Sequence, residues 1–463
     1  MRPMRTTGES MIWKGMKLRV AVSSVGTLLC LLLSAAVLAG TQEIVPEDLS
    51  RPMTAQEAVQ CGLARNRSYL GAKEEVQAFK KKVDEAKADF FPKLDTSYSY
   101  QHFRDQPYAE FGSYRVGMSP NNLNHWEIDL SQPLFTGFGL TAKLNVSKMD
   151  AIIADRKLDE ARLDLVRDIL RTFWQTLLAE RLLQVAKDSV GSLEVHRRNA
   201  DAYFQQGVVV KNDVLKAEVA LSQARQNERK AVKQVVVVKS RLNQLLDRDL
   251  QAKIDLSEGD MPTNLPPGLD GLYERAEELR PEYQAIATTL KQMDENIRAA
   301  RSKYYPQVKA FAQYYREGAD FFAEHNDYTN PNQTIVGLRM DWNLFEGGKT
   351  DATVKELLYR KQSYVQKKED LRQQIRLQVE DAYEQMLVAR DNVDTARTAL
   401  KQAEENERMT TLQYKQQTVI FLEVLNAQVF VTQTQVDYNQ ALYGYQLARV
   451  DLERAVGGPL DGN

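Results

Sequence analysis

Four histidines, His102, His125, His196 and His325, and two cysteines, Cys30 and Cys61, are the residues of this chain best suited to holding a metal or attacking a substrate. None of the histidines stands at ligand spacing to another His or Cys, so the pattern that grips zinc is missing. There is no nucleophile elbow, paired-cysteine motif or phosphate loop. The runs Thr136-Gly137-Phe138-Gly139 and Glu346-Gly347-Gly348 look like phosphate cradles, but neither completes a phosphate loop or a dinucleotide spacing: Lys349-Thr350 follows the second, yet Asn343 stands where the loop's first glycine is needed. Acidic residues are numerous and mostly interleaved with Lys and Arg on helical faces, which reads as solvated surface. No catalysis, cofactor or metal is therefore expected, and the informative residues are those that build surfaces.

The first 39 residues look removable. Lys14, Lys17 and Arg19 precede an apolar run from Val20 to Leu38, and Val37-Leu38-Ala39 offers a cleavage pattern before Gly40, as in a secretory signal peptide. Removing it takes away five basic residues and one acidic residue, moving the net charge from −2 to −6. A mildly acidic exported protein is no nucleic-acid binder. Only Cys61 remains, so no internal disulfide can form. Beyond the leader no stretch reaches the roughly 18 apolar residues of a spanning helix. Strands must do any membrane crossing.

The chain repeats itself. Phe91-Pro92, Pro133-Leu134-Phe135, Gln205-Gln206-Gly207 and Asp213-Val214-Leu215 recur about 210 residues later as Tyr305-Pro306, Asn343-Leu344-Phe345, Gln416-Gln417-Thr418 and Glu423-Val424-Leu425. Each copy reads strand, strand, long helix, tip, helix. The expected strands lie at about 92–103, 124–135, 306–316 and 334–345. Their alternation sets Leu94, Tyr98, Tyr100, Trp126, Ile128, Leu130, Val336, Leu338, Met340 and Trp342 on greasy faces, opposite residues such as Asp95, Glu127, Asp129 and Arg339. Alternation alone fits half-buried hairpins of a soluble domain as well as lipid-facing strands. The greasy faces have no evident partner sheet, however, and lipid would cover them. Four strands cannot close a barrel where about eight are the minimum, so several chains must share one; three give twelve strands.

Glycines then switch the period from two to helical, and Gly137, Gly139, Gly347 and Gly348 are expected as strand-to-helix hinges. Helical hairpins follow at about 138–248 and 349–456, with tips near 206–212 and 416–421. From Thr350 to Gln417 there is neither Gly nor Pro, and Leu371, Ile375, Val379, Ala382, Met386, Ala389, Val393, Ala396, Leu400 and Ala403 step by threes and fours, a coiled-coil seam. One helix is expected from Thr54 to Asp89, opened by the capping box Thr54-Ala55-Gln56-Glu57, and another from Pro281 to Tyr304. The organisation is thus a leader (1–39), a first repeat (40–250), a linker (251–268), a second repeat (269–457) and a tail (458–463). The fold class is a mixed α+β membrane protein, mostly α. A periplasmic structural or adhesive coiled coil without transport activity is the alternative reading.

The order and duplication of these pieces, with the tip Tyr203-Phe204-Gln205-Gln206-Gly207-Val208-Val209 and the following Asp213-Val214-Leu215-Lys216-Ala217, resemble the TolC-type outer-membrane efflux protein family over nearly the whole mature chain. The resemblance implies a homotrimer with a twelve-stranded barrel in the Gram-negative outer membrane and a twelve-helix periplasmic tunnel. It also implies a periplasmic adaptor and an inner-membrane pump of RND or ABC type as partners, in efflux or type I secretion. Carried over residue by residue, adaptor docking falls on Gly207, Val208 and Val209 and on Thr418, Val419 and Ile420. The second tip departs from the family pattern, with Gln417 or Thr418 where a glycine is common. The entrance constriction falls on Glu423 and Asn426.

Overall fold

The computed structural model describes residues 51–259 and 268–460; the leader and residues 40–50, residues 260–267 of the linker and residues 461–463 lie outside the described residues. Helix α1 (Ala55–Arg65) begins under a capping box in which the Thr54 hydroxyl accepts from the Glu57 amide and the Glu57 carboxylate accepts from the Thr54 amide. The helix expected to continue to Asp89 instead breaks at Asn66 and restarts as α2 (Arg67–Ala88). The break belongs to Asn66 itself. Its side-chain oxygen caps the Tyr69 amide, and its Nδ2 donates to the Leu245 carbonyl at 3.0 Å.

Strand β1 (Lys93–His102) leads to a small hairpin, β2 (Tyr108–Phe111) and β3 (Tyr114–Gly117), set between the first two expected strands. Gly112 makes its turn at φ +63°. After β4 (Asn122–Phe135) come α3 (Gly139–Gln205) and its return α4 (Lys211–Leu245). The second repeat runs α5 (Leu269–Leu279), a one-residue break at Arg280, α6 (Pro281–Arg301), β5 (Gln307–Gly318), β6 (Asn332–Asp341), α7 (Lys349–Lys415) and α8 (Phe421–Val456). Helix α5 matches α1 in its 11 residues, and Arg280 stands where Asn66 does. The duplication therefore reaches back to the short helices.

The four long strands form one antiparallel sheet in the order β1-β4-β5-β6, which leaves β1 and β6 as its edges. Strand β6 stops at Asp341, short of the 345 expected. Asp341 pairs with Gln307, and the residue before that is Pro306, which has no N–H with which to extend the ladder. Trp342, expected as a lipid-facing strand residue, consequently lies just past the strand, where its indole N–H donates to the Tyr304 carbonyl at 3.2 Å.

Helices α3 and α7 each have 67 residues, about 100 Å at 1.5 Å per residue. Their small and branched residues sink into two matching cores. One gathers Ala58, Ile169, Phe173, Leu177, Leu242 and Tyr443 where α1 crosses α3, α4 and α8. The other gathers Leu272, Ile375, Val379, Met386, Tyr445 and Leu452 where α5 crosses α7 and α8. Ile375, Val379, Ala382, Met386 and Ala403 of the α7 seam are buried. Among the described residues no helix is long and apolar enough to cross a membrane.

Candidate functional site

The strand faces follow from register. Cross-strand partners set Leu94, Leu130, Ala312 and Val336 in one row and Thr96, Ile128, Tyr314 and Thr334 in the next, with Tyr98 beside Trp126. Leu338 and Met340 extend this face opposite Ala310 and Val308. Leu94 is 70% exposed, Val336 77% and Leu338 72%, a continuous greasy surface of a kind that marks a membrane or partner contact. Tyr98, Trp126 and Phe321 cluster in tilted and edge-on contacts with centroids 4.7–5.7 Å apart at the loop end, where the Trp126 indole donates to the Phe321 carbonyl at 2.8 Å. Tyr100 is on the same face but pairs with Asn124, and its hydroxyl donates to Asn122. The opposite face carries Asp95 paired with Asp129, Ser97 with Glu127, and Ser99 with His125, which in turn pairs with Glu317.

At the helix end of the sheet the chain turns through left-handed residues: Gly137 at φ +60° and Phe138 at +66° in the first repeat, Gly347 at +60° and Gly348 at +83° in the second. Gly139 is not one of them. It is the first residue of α3, held small because a Cβ there would come within 2.7 Å of Ser302 Oγ. A Cβ on Gly137 would sit 2.4 Å from the Ser302 carbonyl oxygen, whereas Gly347 and Gly348 meet open space. Around these corners Phe91, Leu134, Phe138, Tyr305, Leu344 and Phe345 are exposed, with Phe345 at 87%. Sequence reasoning used several of them as repeat landmarks without seeing the belt they form, the arrangement expected where a lipid band meets water. Aromatics flanking each strand-to-helix glycine were the available signal.

The tips close differently. In the first, Gly207 takes the left-handed position at φ +75° and the Val208 amide donates back to the Tyr203 carbonyl. In the second, Gln417 takes it at +61°, and Thr418 donates to the Gln413 carbonyl through both its amide and its hydroxyl at 3.0 Å. Val208, Val210 and Ile420 are exposed at the ends, with Val209 and Val419 half-buried and Gly207 and Thr418 exposed beside them. Glu423 and Asn426 are both exposed on the first turns of α8. Their counterparts in the first repeat, Asp213 and Lys216, form an ion pair at 4.0 Å, while Glu423 faces the neutral Asn426 at the position that corresponds to Lys216. Just above the tips Phe421, 1% exposed, joins the two hairpins: it packs with Leu193, Val214 and Leu221, against the His196 and Tyr414 rings. Burial lowers the His196 imidazole, with Gln428 opposing.

Midway along the helices a charged knot holds the second break. Arg280 and Arg454 both donate to Glu282 at 2.9 Å, Arg454 also to Asp164 at 2.7 Å, and Arg280 to Gln378 at 2.6 Å. Burial alone would push the Glu282 carboxyl up, but the bonds from Arg280 and Arg454 outweigh it and hold it at about 2.

Comparison with known proteins agrees with this geometry. The sequence profile described as outer membrane efflux protein matches residues 58–248 and 272–458, one block for each repeat. Outer membrane protein OprJ of Pseudomonas aeruginosa is 23% identical over 412 residues, spanning 87% of this chain and 84% of that protein. A membrane protein from Pseudomonas aeruginosa has the same fold at a TM-score of 0.76 and 19% identity, covering 88% of this chain and 91% of that one. The outer membrane protein VceC from Vibrio cholerae matches with a TM-score of 0.74 and 14% identity, over 88% and 97%. With both repeats matched and the greasy strand sheet set on paired helical hairpins, the chain belongs to the outer membrane efflux protein family and is an efflux channel of the Gram-negative outer membrane.

Proposed function

We propose that three copies of this chain share one twelve-stranded barrel and, beneath it, one twelve-helix periplasmic duct through which solutes leave passively. The observation that carries this reading is the pair of open edges on a lipid-facing sheet. Strands β1 and β6 would leave backbone groups unpaired in hydrocarbon, which costs several kcal/mol per group. They also run in opposite senses, so β6 of one copy meets β1 of the next as an antiparallel pair and the ring closes without a seam.

The duct has no reaction to drive transport. Energy comes from an inner-membrane pump of RND or ABC type, coupled through a periplasmic adaptor that docks on the tips at Gly207, Val208 and Val209 and at Thr418, Val419 and Ile420. Membership of an efflux family favours small solutes over proteins as cargo. Glu423, without a neutralising lysine, and Asn426 line the entrance, where three copies of the carboxylate would draw cations. Reconstitution of the purified protein in planar bilayers tests the reading: discrete channels from a particle of three chains are expected, and a folded monomer that never conducts would refute it. In the same assay Glu423→Gln should weaken cation selectivity, and unchanged selectivity would remove Glu423 from the entrance.

A further inference from the structure

The strand face turned away from lipid is electrically uneven. Toward the helices it carries Lys93, Lys309 and Arg339 with one acid, Asp341, at the end of β6; toward the loops it carries Asp95, Asp129, Glu127 and Glu317. In the loop-side half the only strand residue of that face able to bear positive charge is His125. The second repeat lacks the arrangement: Ile335, Gly337 and Arg339 of β6 stand where β4 has His125, Glu127 and Asp129.

His125 does not merely sit among these acids. Its Nδ1 lies 2.9 Å from Glu317 Oε1 on β5, its Nε2 lies 3.4 Å from Glu127 Oε2 on β4, and its ring stacks on Tyr315 at 5.6 Å. A neutral imidazole has one N–H, so one of its nitrogens would turn a lone pair toward a carboxylate; the imidazolium donates to both. The other groups facing it are Ser99, directly opposite on β1, Asp95 farther along that strand, Asp129 on its own strand, and Gln313 on β5, whose amide donates to Glu127. None of these supplies a competing positive charge.

We propose that His125 is a selectivity-determining residue of the channel, a clamp between β4 and β5 whose protonated form lowers the negative charge of the barrel lumen and whose neutral form restores it. The proposal rests on the shared-barrel reading, in which three copies face one lumen and their protonation changes the lumen by three charges. Preference for cations is then highest with the imidazole neutral and falls as the medium acidifies.

The test is the reversal potential of the full-length protein in planar bilayers under a potassium chloride gradient, stepped from alkaline to acid medium. In the wild type the cation preference should fall toward acid. His125→Gln should hold the high preference throughout and His125→Lys the low one, each with channels of wild-type form. A wild-type preference that does not move with pH, or a His125→Gln channel that keeps the wild-type profile, overturns the proposal while leaving the duct intact. Absence of channels in the wild type overturns the duct reading and this proposal with it.

Discussion

The two repeats share a backbone and differ in what holds each corner of it. The first repeat breaks its short helix with a neutral cap at Asn66, and the second with the ionic knot of Arg280, Glu282 and Arg454. The first strand-to-helix corner is wedged against Ser302, and the second is open. The first tip turns on glycine, the second on glutamine. Duplication thus fixes where the chain must turn, and each copy has its own chemistry for turning there. At the breaks and tips the first repeat uses a neutral cap and glycine where the second uses charge and a left-handed glutamine, while at the corners the left-handed non-glycine, Phe138, belongs to the first.

Phe421 offers the strongest way to break the symmetry. Phe421→Ala should cost about 3–5 kcal/mol, because a fully buried ring is lost from the contact between hairpins, whereas Lys211→Ala at the matching exposed position should be close to neutral; denaturant melts would show the pair. At the corners, Gly137→Ala should cost about 3 kcal/mol, combining overpacking against Ser302 with a left-handed backbone, while Gly347→Ala should cost about 1 kcal/mol for the backbone alone. Equal losses would mean that the Ser302 contact yields freely.

Acid should separate the two breaks. Because the Glu282 carboxyl titrates at about 2 in the folded protein, below its ordinary 4.5, its contribution is fully present above 4.5 and lost as pH falls from there toward 2. Melting followed through that range should therefore show a slope that Glu282→Gln flattens. Asn66→Ala should instead cost about 1 kcal/mol at every pH, as a lost cap does. The smallest effect belongs to the tips: Gln417→Gly should stabilise by several tenths of a kcal/mol by relieving a left-handed glutamine, and Gly207→Ala should destabilise by about 1 kcal/mol. Hydrogen exchange at the two tips would resolve the difference.

The sequence made some of this plain and concealed the rest for physical reasons. Period-two alternation at Leu94 to Tyr100 and Trp126 to Leu130 dictated a face, and register then aligned those faces across the sheet. The α7 seam was equally readable, since Ile375, Val379 and Met386 have no other way to leave water. Asn66 was not readable as a break, because an asparagine in an amphipathic run can be a solvated residue, and besides its local cap on Tyr69 it is held by a carbonyl about 180 residues away. Phe138 in a left-handed conformation was hidden by the glycines on either side, which seemed to account for the corner by themselves. The contact of Phe421 with His196 depends on how two hairpins meet, which no local period encodes.

The equal spans of α3 and α7 act as a ruler. Each residue added to one of them alone would advance its tip by 1.5 Å and swing it by a little more than a quarter of a turn, pulling Phe421 out of step with Val214. Changes in depth are therefore tolerated in whole heptads and in both copies together, about 10 Å at a time. Reach across the periplasm is a quantity that such a protein can alter only in coordinated steps.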